Sequence, residues 1–381
     1  MKTDLDKLRV ALVYDRVNKW GGAERVLLAL KKIFPQAPLF TSVYLPKSAS
    51  WAKNWPVKPS FGQRFPLVKK RHEFFPWLMP FIFESFDFRG YQLVISVTSA
   101  EAKGIITPPE TCHLCYCLTP TRYLWSGRRV YFDSPGFGWL DGIAKKAYRF
   151  FLPFLLRWDK VAAQRPDSYL AISGEVRQRI KKNYRRDAEI IYPPVDLDKF
   201  KIKDDKFKTR KKNYFLVVSR LVPYKRIDLV IEAFNQLDRP LKIAGIGSQM
   251  SFLKKMAGPK IEFLGQLTEK ALLSYYNSCR AVICPQEEDF GLVPLEAQAC
   301  GKPVISYQGG GALETVVKNR TGEFFYPQTA DALARTVLGF NVGRYCPDDC
   351  RRNAQRFSQK LFIRKFTKKT EEIWKKFSQE N

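Results

Sequence analysis

The sequence predicts an α/β protein of two domains, each a parallel sheet with connecting helices. The first observation is residues 281–316, AVICPQEEDFGLVPLEAQACGKPVISYQGGGALETV. They read as apolar strand, acidic loop, helix, second apolar strand, glycine-rich loop and helix start. The second is that short apolar runs bounded by turn residues recur along the chain, as expected of strands buried on both faces. The third is length: 381 residues can enclose two or three cores, and a basic segment at 199–212 divides them.

In chain order, residues 8–13 form the first strand. Gly21 and Gly22 then turn into a helix reaching residue 34. A glycine turn at a helix start favours a phosphate, and it also serves simply to pack helix on strand. Strands follow at 38–44 and 91–97. Between them, 61–87 mixes Arg64, Lys69, Lys70 and Arg71 with Phe65, Phe74, Phe75, Trp77 and Phe81. This mixture fits an anionic membrane interface, and equally a helix pair whose aromatics enter the core. The run AYRFFLPFLLRW at 147–158 carries the same two readings. Cys112, Cys115 and Cys117 read as small buried strand residues rather than metal ligands, since no second cysteine pair follows at zinc-finger spacing.

Residues 190–196 close a first domain spanning 1–198. The segment 199–212 holds eight basic residues in fourteen and is expected to be a solvated linker. A second domain, 213–359, opens on a strand at 214–218. That strand ends in Ser219, Arg220 and Lys225, followed by a helix over 227–237. Strands at 241–244 and 260–264 end in glycine turns, the latter at Gly265. In 281–316, Pro294 suits a helix first turn, Gly301 a helix end, and residues 309–311 the opening of another helix at Ala312. A last helix near 360–381 places Phe362, Phe366, Ile373 and Phe377 on one stripe.

The chain has 65 Lys and Arg against 37 Asp and Glu, a net charge of +28. Anionic partners follow: a nucleotide, or an anionic membrane surface. The basic residues are spread over linker, tail and several helices, without an RNA-recognition motif or zinc finger, so nucleic acid is not expected. The N-terminus has too short an apolar core for a signal peptide, and no apolar run approaches the ~20 residues that span a bilayer. The expected location is the cytoplasm, peripheral at the inner face of the cell membrane.

In an open parallel sheet, ligands bind beyond the carboxyl ends of the strands. Two helix starts in 281–316 face that region and favour a diphosphate. Glu288 and Glu296 border it. A carboxylate repels an anion, so these acids suit hydrogen-bond acceptance from sugar hydroxyls. Glu288, seven residues, then Glu296 resembles the E-x7-E signature of family 4 retaining glycosyltransferases. The segments CYCLTPTRYLW, SRLVPYKRIDL and EEDFGLVPLEA resemble the subgroup of O-antigen and lipopolysaccharide mannosyltransferases.

The resemblance implies the GT-B fold, two Rossmann-like domains facing each other across a donor cleft, with the helix at 360–381 completing the first. It implies catalytic roles for Arg220, Lys225 and Glu288. It implies donor contacts from Gly21, Gly22, Ser219, Gly265, Asp289, Phe290, Gly291, Leu292, Val293 and Glu296. Fixed cations replace a metal, so no metal or other cofactor is expected, and Asp196-Leu197-Asp198 reads as a hinge feature. The implied partners are a nucleotide sugar (GDP-mannose or a UDP-sugar), a polyprenyl-diphosphate-linked glycan acceptor, and an anionic membrane. Leu118 stands where the subgroup carries histidine, Ser126 replaces an acid, and Arg226 replaces a common glycine. A nucleotide-sugar hydrolase or epimerase, and a non-catalytic sugar-nucleotide-binding subunit, are the alternative readings.

Overall fold

The computed structural model describes residues 4–128, 132, 141–200 and 213–380. They form two compact units, Met1–Pro193 with Phe362–Asn381, and Pro194–Leu361. The first unit holds strands β1 (Val10–Tyr14), β2 (Leu39–Thr41), β3 (Val57–Pro59), β4 (Leu93–Thr98), β5 (Cys112–Cys117), β6 (Ser168–Ala171) and β7 (Glu189–Ile190). Their order is β3-β2-β1-β4-β5-β6-β7, parallel throughout. The central strands VALVY, LVISVT and CHLCYC are buried at every position, which their mostly apolar or small side chains allow on both faces.

The second unit holds β8 (Phe215–Val218), β9 (Leu241–Ala244), β10 (Ile261–Gly265), β11 (Val282–Cys284), β12 (Val304–Tyr307) and β13 (Gly322–Phe325). The order is β10-β9-β8-β11-β12-β13, again parallel. In each sheet the chain winds outward in one direction from its first strand and then in the other. The order therefore reverses between β1 and β4, and between β8 and β11. Loops leaving the strand ends at such a point diverge and open a crevice.

The aromatic segments divide by residue. Val68, Met79, Ile82, Phe83 and Phe88 are core, packed with Phe40 and Val94. Phe61, Phe65, Leu67 and Phe81 are exposed. The side chains of Lys70 and Arg71 lie outside the described residues. In helix Asp141–Ala162, Leu152 and Leu155 are buried while Phe150 and Phe154 are exposed. Phe81 and Phe154 stack at 6.5 Å between ring centroids.

The cysteines of β5 are buried, and burial pushes the thiols of Cys112 and Cys115 up to about 12. In helix Gln359–Glu380, Phe362 and Phe366 are buried with their ring centroids 5.9 and 5.7 Å from that of Tyr116.

One expectation holds and one changes. Residues 309–311 lead into a single helical turn, Ala312–Thr315, which ends at the extended Val316. The segment expected to be a solvated linker from residue 199 starts instead as a packed 3-10 turn, Leu197–Phe200. The Phe200 ring lies 6.2 Å from that of Tyr276, and Val195 N–H donates to Phe357 O at 2.9 Å. Residues 201–212 of that segment lie outside the described residues.

Candidate functional site

At the second switch point β8 runs into the loop 219–225 and β11 into the loop 285–291. The 3-10 turn Pro223–Lys225 brings Lys225 against Glu288, and the ammonium donates to Glu288 Oε1. Gln286 Nε2 donates to the same oxygen at 2.8 Å. Lys225 and Glu288 keep 11% and 26% of their side-chain surface exposed, so both reach the crevice while being held. Arg220 is exposed and donates to the Tyr224 hydroxyl. The Tyr224 ring has the Arg220 guanidinium at 5.8 Å and the Lys225 ammonium at 5.2 Å from its centroid. One aromatic ring thus steadies two cations.

The rest of 285–296 shapes this site by backbone. Gly291, at φ 90°, is the N-cap of helix Leu292–Ala299. Phe290 is buried against Phe357, ring centroids 5.6 Å apart, so its side chain belongs to the core and only its backbone is available. Asp289, Leu292 and Val293 are half-buried. Glu296 is 4% exposed and accepts from the Tyr276 hydroxyl at 2.9 Å.

The glycines of 309–311 allow two loops to touch. A Cβ on Gly310 would lie 2.3 Å from Glu288 O, and one on Gly311 2.3 Å from Phe290 Cα. Gly311 N–H donates to Glu288 O at 2.8 Å. Gly265, at φ 66°, accepts from Gly245 N–H at 2.8 Å, and the Ser219 hydroxyl donates to Arg220 O at 3.1 Å.

Gly21 and Gly22 belong to the other unit. Gly22 opens helix Gly22–Ile33 with Gly21 as N-cap. A Cβ on Gly21 would lie 3.1 Å from Glu24 Oε2, and the buried Glu24 accepts from the Tyr14 hydroxyl at 2.8 Å. This helix start already has a carboxyl beside it, which competes with any phosphate for the dipole. Burial raises the pKa of that carboxyl.

The first switch point is knitted shut. Asp15, just past β1, accepts from the Thr98 hydroxyl at 2.8 Å, Ser99 N–H at 2.7 Å and Ala102 N–H at 2.9 Å. Arg16 meets Glu101 at 2.9 Å, and the Tyr123 hydroxyl donates to Glu101 at 2.6 Å. Behind them Lys103 meets Asp159 at 2.5 Å; Asp159 also takes the Trp125 indole N–H at 2.8 Å and has the Thr121 hydroxyl at 2.6 Å. Thr121 and Trp125 of the CYCLTPTRYLW segment therefore anchor a buried ion pair. Leu118 is half-buried, and its N–H donates to Thr98 O at 2.8 Å. Among the described residues, no group of three or more His, Cys, Asp or Glu is placed to hold a metal ion.

Tyr276, Tyr224, Gln286 and Glu101 escape sequence reasoning. Tyr224 and Gln286 do sit inside the loops at 219–225 and 285–291, so their position was the available signal. Tyr276 and Glu101 meet their partners across 20 and 22 residues, and no periodicity marks them.

Residues 198–357 match the family model described as Glycosyl transferases group 1. This segment takes in Lys225, Glu288 and Glu296. An uncharacterised glycosyltransferase of Methanocaldococcus jannaschii is 25% identical, over 58% of this chain and 62% of its own. A GDP-mannose-dependent alpha-(1-6)-phosphatidylinositol monomannoside mannosyltransferase of Mycolicibacterium smegmatis is 30% identical, over 39% of this chain and 46% of its own. These alignments thus span less than two thirds of the relatives' length.

Among solved structures, Anabaena HepE in complex with UDP-glucose aligns with TM-score 0.69 and 20% identity, over 95% of this chain and 99% of its own. Sucrose-phosphate synthase of Thermosynechococcus elongatus aligns with TM-score 0.71 and 16% identity, over 96% and 99%. The fold is GT-B. At these identities the structural likeness speaks for the fold alone.

Proposed function

We propose that this chain is a retaining, metal-independent glycosyltransferase that moves a hexose from a nucleotide sugar to a lipid-linked glycan acceptor. The observation that carries the reading is the Lys225–Glu288 pair at the β8/β11 switch point, with Arg220 beside it. Transfer breaks the bond between the sugar's anomeric carbon and the donor phosphate. Negative charge grows on the departing diphosphate. Arg220, Lys225 and the backbone N–H groups of 290–293 meet that charge, and fixed donors of this kind stabilise the transition state more than the ground state. Glu288 accepts hydrogen bonds from sugar hydroxyls and holds the ring. Glu296 accepts from the ribose diol. The departing phosphate takes the acceptor proton, and the new glycosidic bond forms on the same face, so anomeric configuration is retained.

GDP-mannose is the proposed donor, supported by relatives described as GDP-mannose-dependent mannosyltransferases. A UDP-sugar is the second reading, favoured by the likeness to HepE in complexes with UDP and UDP-glucose. The proposed acceptor is a polyprenyl-diphosphate-linked glycan, met at the inner face of the cell membrane. Support comes from exposed Phe65, Leu67, Phe81, Phe150 and Phe154 beside the exposed cations Arg64, Lys146, Arg149 and Arg157. Such a face suits an anionic lipid interface. Among the described residues no helix is long and apolar enough to cross a membrane.

The test is incubation with GDP-mannose or UDP-glucose and a membrane lipid extract, followed by product analysis. Labelled sugar moving from GDP-mannose into lipid, with anomeric configuration kept, is the expected outcome. Release of free sugar from donor alone, with no lipid product, identifies a hydrolase and overturns the reading.

A further inference from the structure

A second charged cavity lies in the donor-side unit, lined by Arg320, Arg352, Arg356, Asp349 and Asn353, with a volume of about 240 Å³. The fold builds it from helix Pro347–Gln355 and the loop that precedes β13. Asp349, Arg352, Asn353 and Arg356 are spaced i, i+3, i+4 and i+7, one face of that helix and its end. Across from them, Asn319 takes a left-handed φ of 62°, and Val317 N–H donates to the Thr321 hydroxyl oxygen at 2.9 Å. That turn presents Arg320, whose Nη2 lies 3.4 Å from Asp349 Oδ1.

The guanidinium groups share partners, while Arg320 and Arg352 keep 65% and 69% of their side-chain surface exposed. Arg352 donates to the same Asp349 oxygen. Arg356 donates to Asn353 Oδ1 at 2.9 Å. Asn353 is itself 6% exposed and locked beneath, its amide donating to Gln298 Oε1 at 2.6 Å and Thr315 O at 2.9 Å. Three guanidinium groups thus converge on one cavity with one carboxylate between them, leaving an excess of two positive charges. Each guanidinium carries five N–H donors, and these contacts use only a few of them. Planar forks of this kind match phosphate oxygens two at a time.

We propose that this arginine-lined cavity binds a phosphate-bearing dianion, either a free phosphate compound or the headgroup of a phospholipid. A second ionised group balances the excess charge, and about 240 Å³ holds a phosphate or pyrophosphate. The proposal is independent of the transferase reading, since it involves neither Lys225 nor Glu288.

The test titrates the full chain calorimetrically with inorganic pyrophosphate, then with monodisperse dihexanoyl phosphatidic acid. The proteins are native, Arg352→Gln/Arg356→Gln, and Arg220→Ala/Lys225→Ala. Losing two charge-assisted contacts predicts at least about a tenfold weaker binding in the first variant. The second variant retains the cavity's binding, and any fall there reports separately on the donor site. A pyrophosphate effect assigns a free phosphate ligand; an effect with phosphatidic acid alone assigns a lipid headgroup. Arg320→Gln, whose side chain is 65% exposed, keeps the fold and weakens binding by a smaller factor. Equal binding by native, Arg320→Gln and double-variant protein with both probes overturns the proposal.

Discussion

At the ends of β1 and β4, Asp15 and Glu101 are 3% and 1% exposed, and each is enclosed by donors from its own unit. At the ends of β8 and β11, Glu288 keeps 26% of its side chain in solvent, and Arg220 is exposed. Both places are switch points of a parallel sheet, so topology offers a crevice at each. A switch point can serve as a ligand site only where its charges are left reachable. At the first, hydrogen bonds within the chain consume the two carboxylates, Asp15 and Glu101, and these act as girders. At the second, Lys225 and Glu288 are oriented by one another and by Gln286 yet remain accessible, as a preorganised site requires.

The largest expected effect tests the buried ion pair behind these girders. Asp159→Ala leaves the Lys103 ammonium buried without its acid, and breaking such a pair costs about 3–5 kcal/mol. Urea unfolding would measure it, and a loss below about 1 kcal/mol would show that the first switch point is not held this way. Next, Glu288→Gln keeps the shape but removes the carboxylate that orients Lys225. A fall in transfer rate of about 10²–10³ is expected, with an unchanged melting temperature. Full activity in that variant would erase the contrast between the two regions.

Acid should weaken the first unit selectively, because both histidines of the chain lie in it. Burial, aided by Arg16 and Lys19 beside His72 and by Arg165 and Arg186 beside His113, lowers each to about 3 from an ordinary 6.5. The unfolded chain therefore binds these protons first. The stability they represent is intact above pH 6.5 and is lost as pH falls from there toward 3, by up to about 1.4 kcal/mol per pH unit for each histidine. His113→Gln should flatten the slope of unfolding free energy against pH between 6 and 4; an unchanged slope would show that His113 carries none of it. The smallest effect concerns Tyr276. Tyr276→Phe removes one hydrogen bond to Glu296, and GDP binding should weaken about fivefold while binding of guanine base alone stays constant. A uniform loss for both would mean that Tyr276 merely supports the core.

Much of the second unit was legible because its strands are short and mostly apolar, and β8, β11 and β12 are buried at all or all but one of their positions. The strands expected at 281–284 and 303–307 are Val282–Cys284 and Val304–Tyr307. Pro294 falls in the first turn of helix Leu292–Ala299, and the glycine after it, Gly301, takes φ 71°. The triple glycine was harder. Its pattern resembles a phosphate-binding helix start, yet the backbones of Glu288 and Phe290 at 2.3 Å explain Gly310 and Gly311 by loop contact. Composition alone could not separate the core face of the aromatic segments from the exposed one, because both faces carry phenylalanine. The Asp159 pairings, the Tyr276–Glu296 bond and the arginine cavity join residues far apart in the chain, and only the folded backbone brings them together.

The decisive measurement is a crystal structure with GDP-mannose bound. Diphosphate oxygens are expected within hydrogen-bond reach of Arg220 and Lys225, the Glu288 carboxylate on a mannose hydroxyl and Glu296 on the ribose. A nucleotide seated elsewhere, with the Lys225–Glu288 pair untouched by it, would contradict this placement.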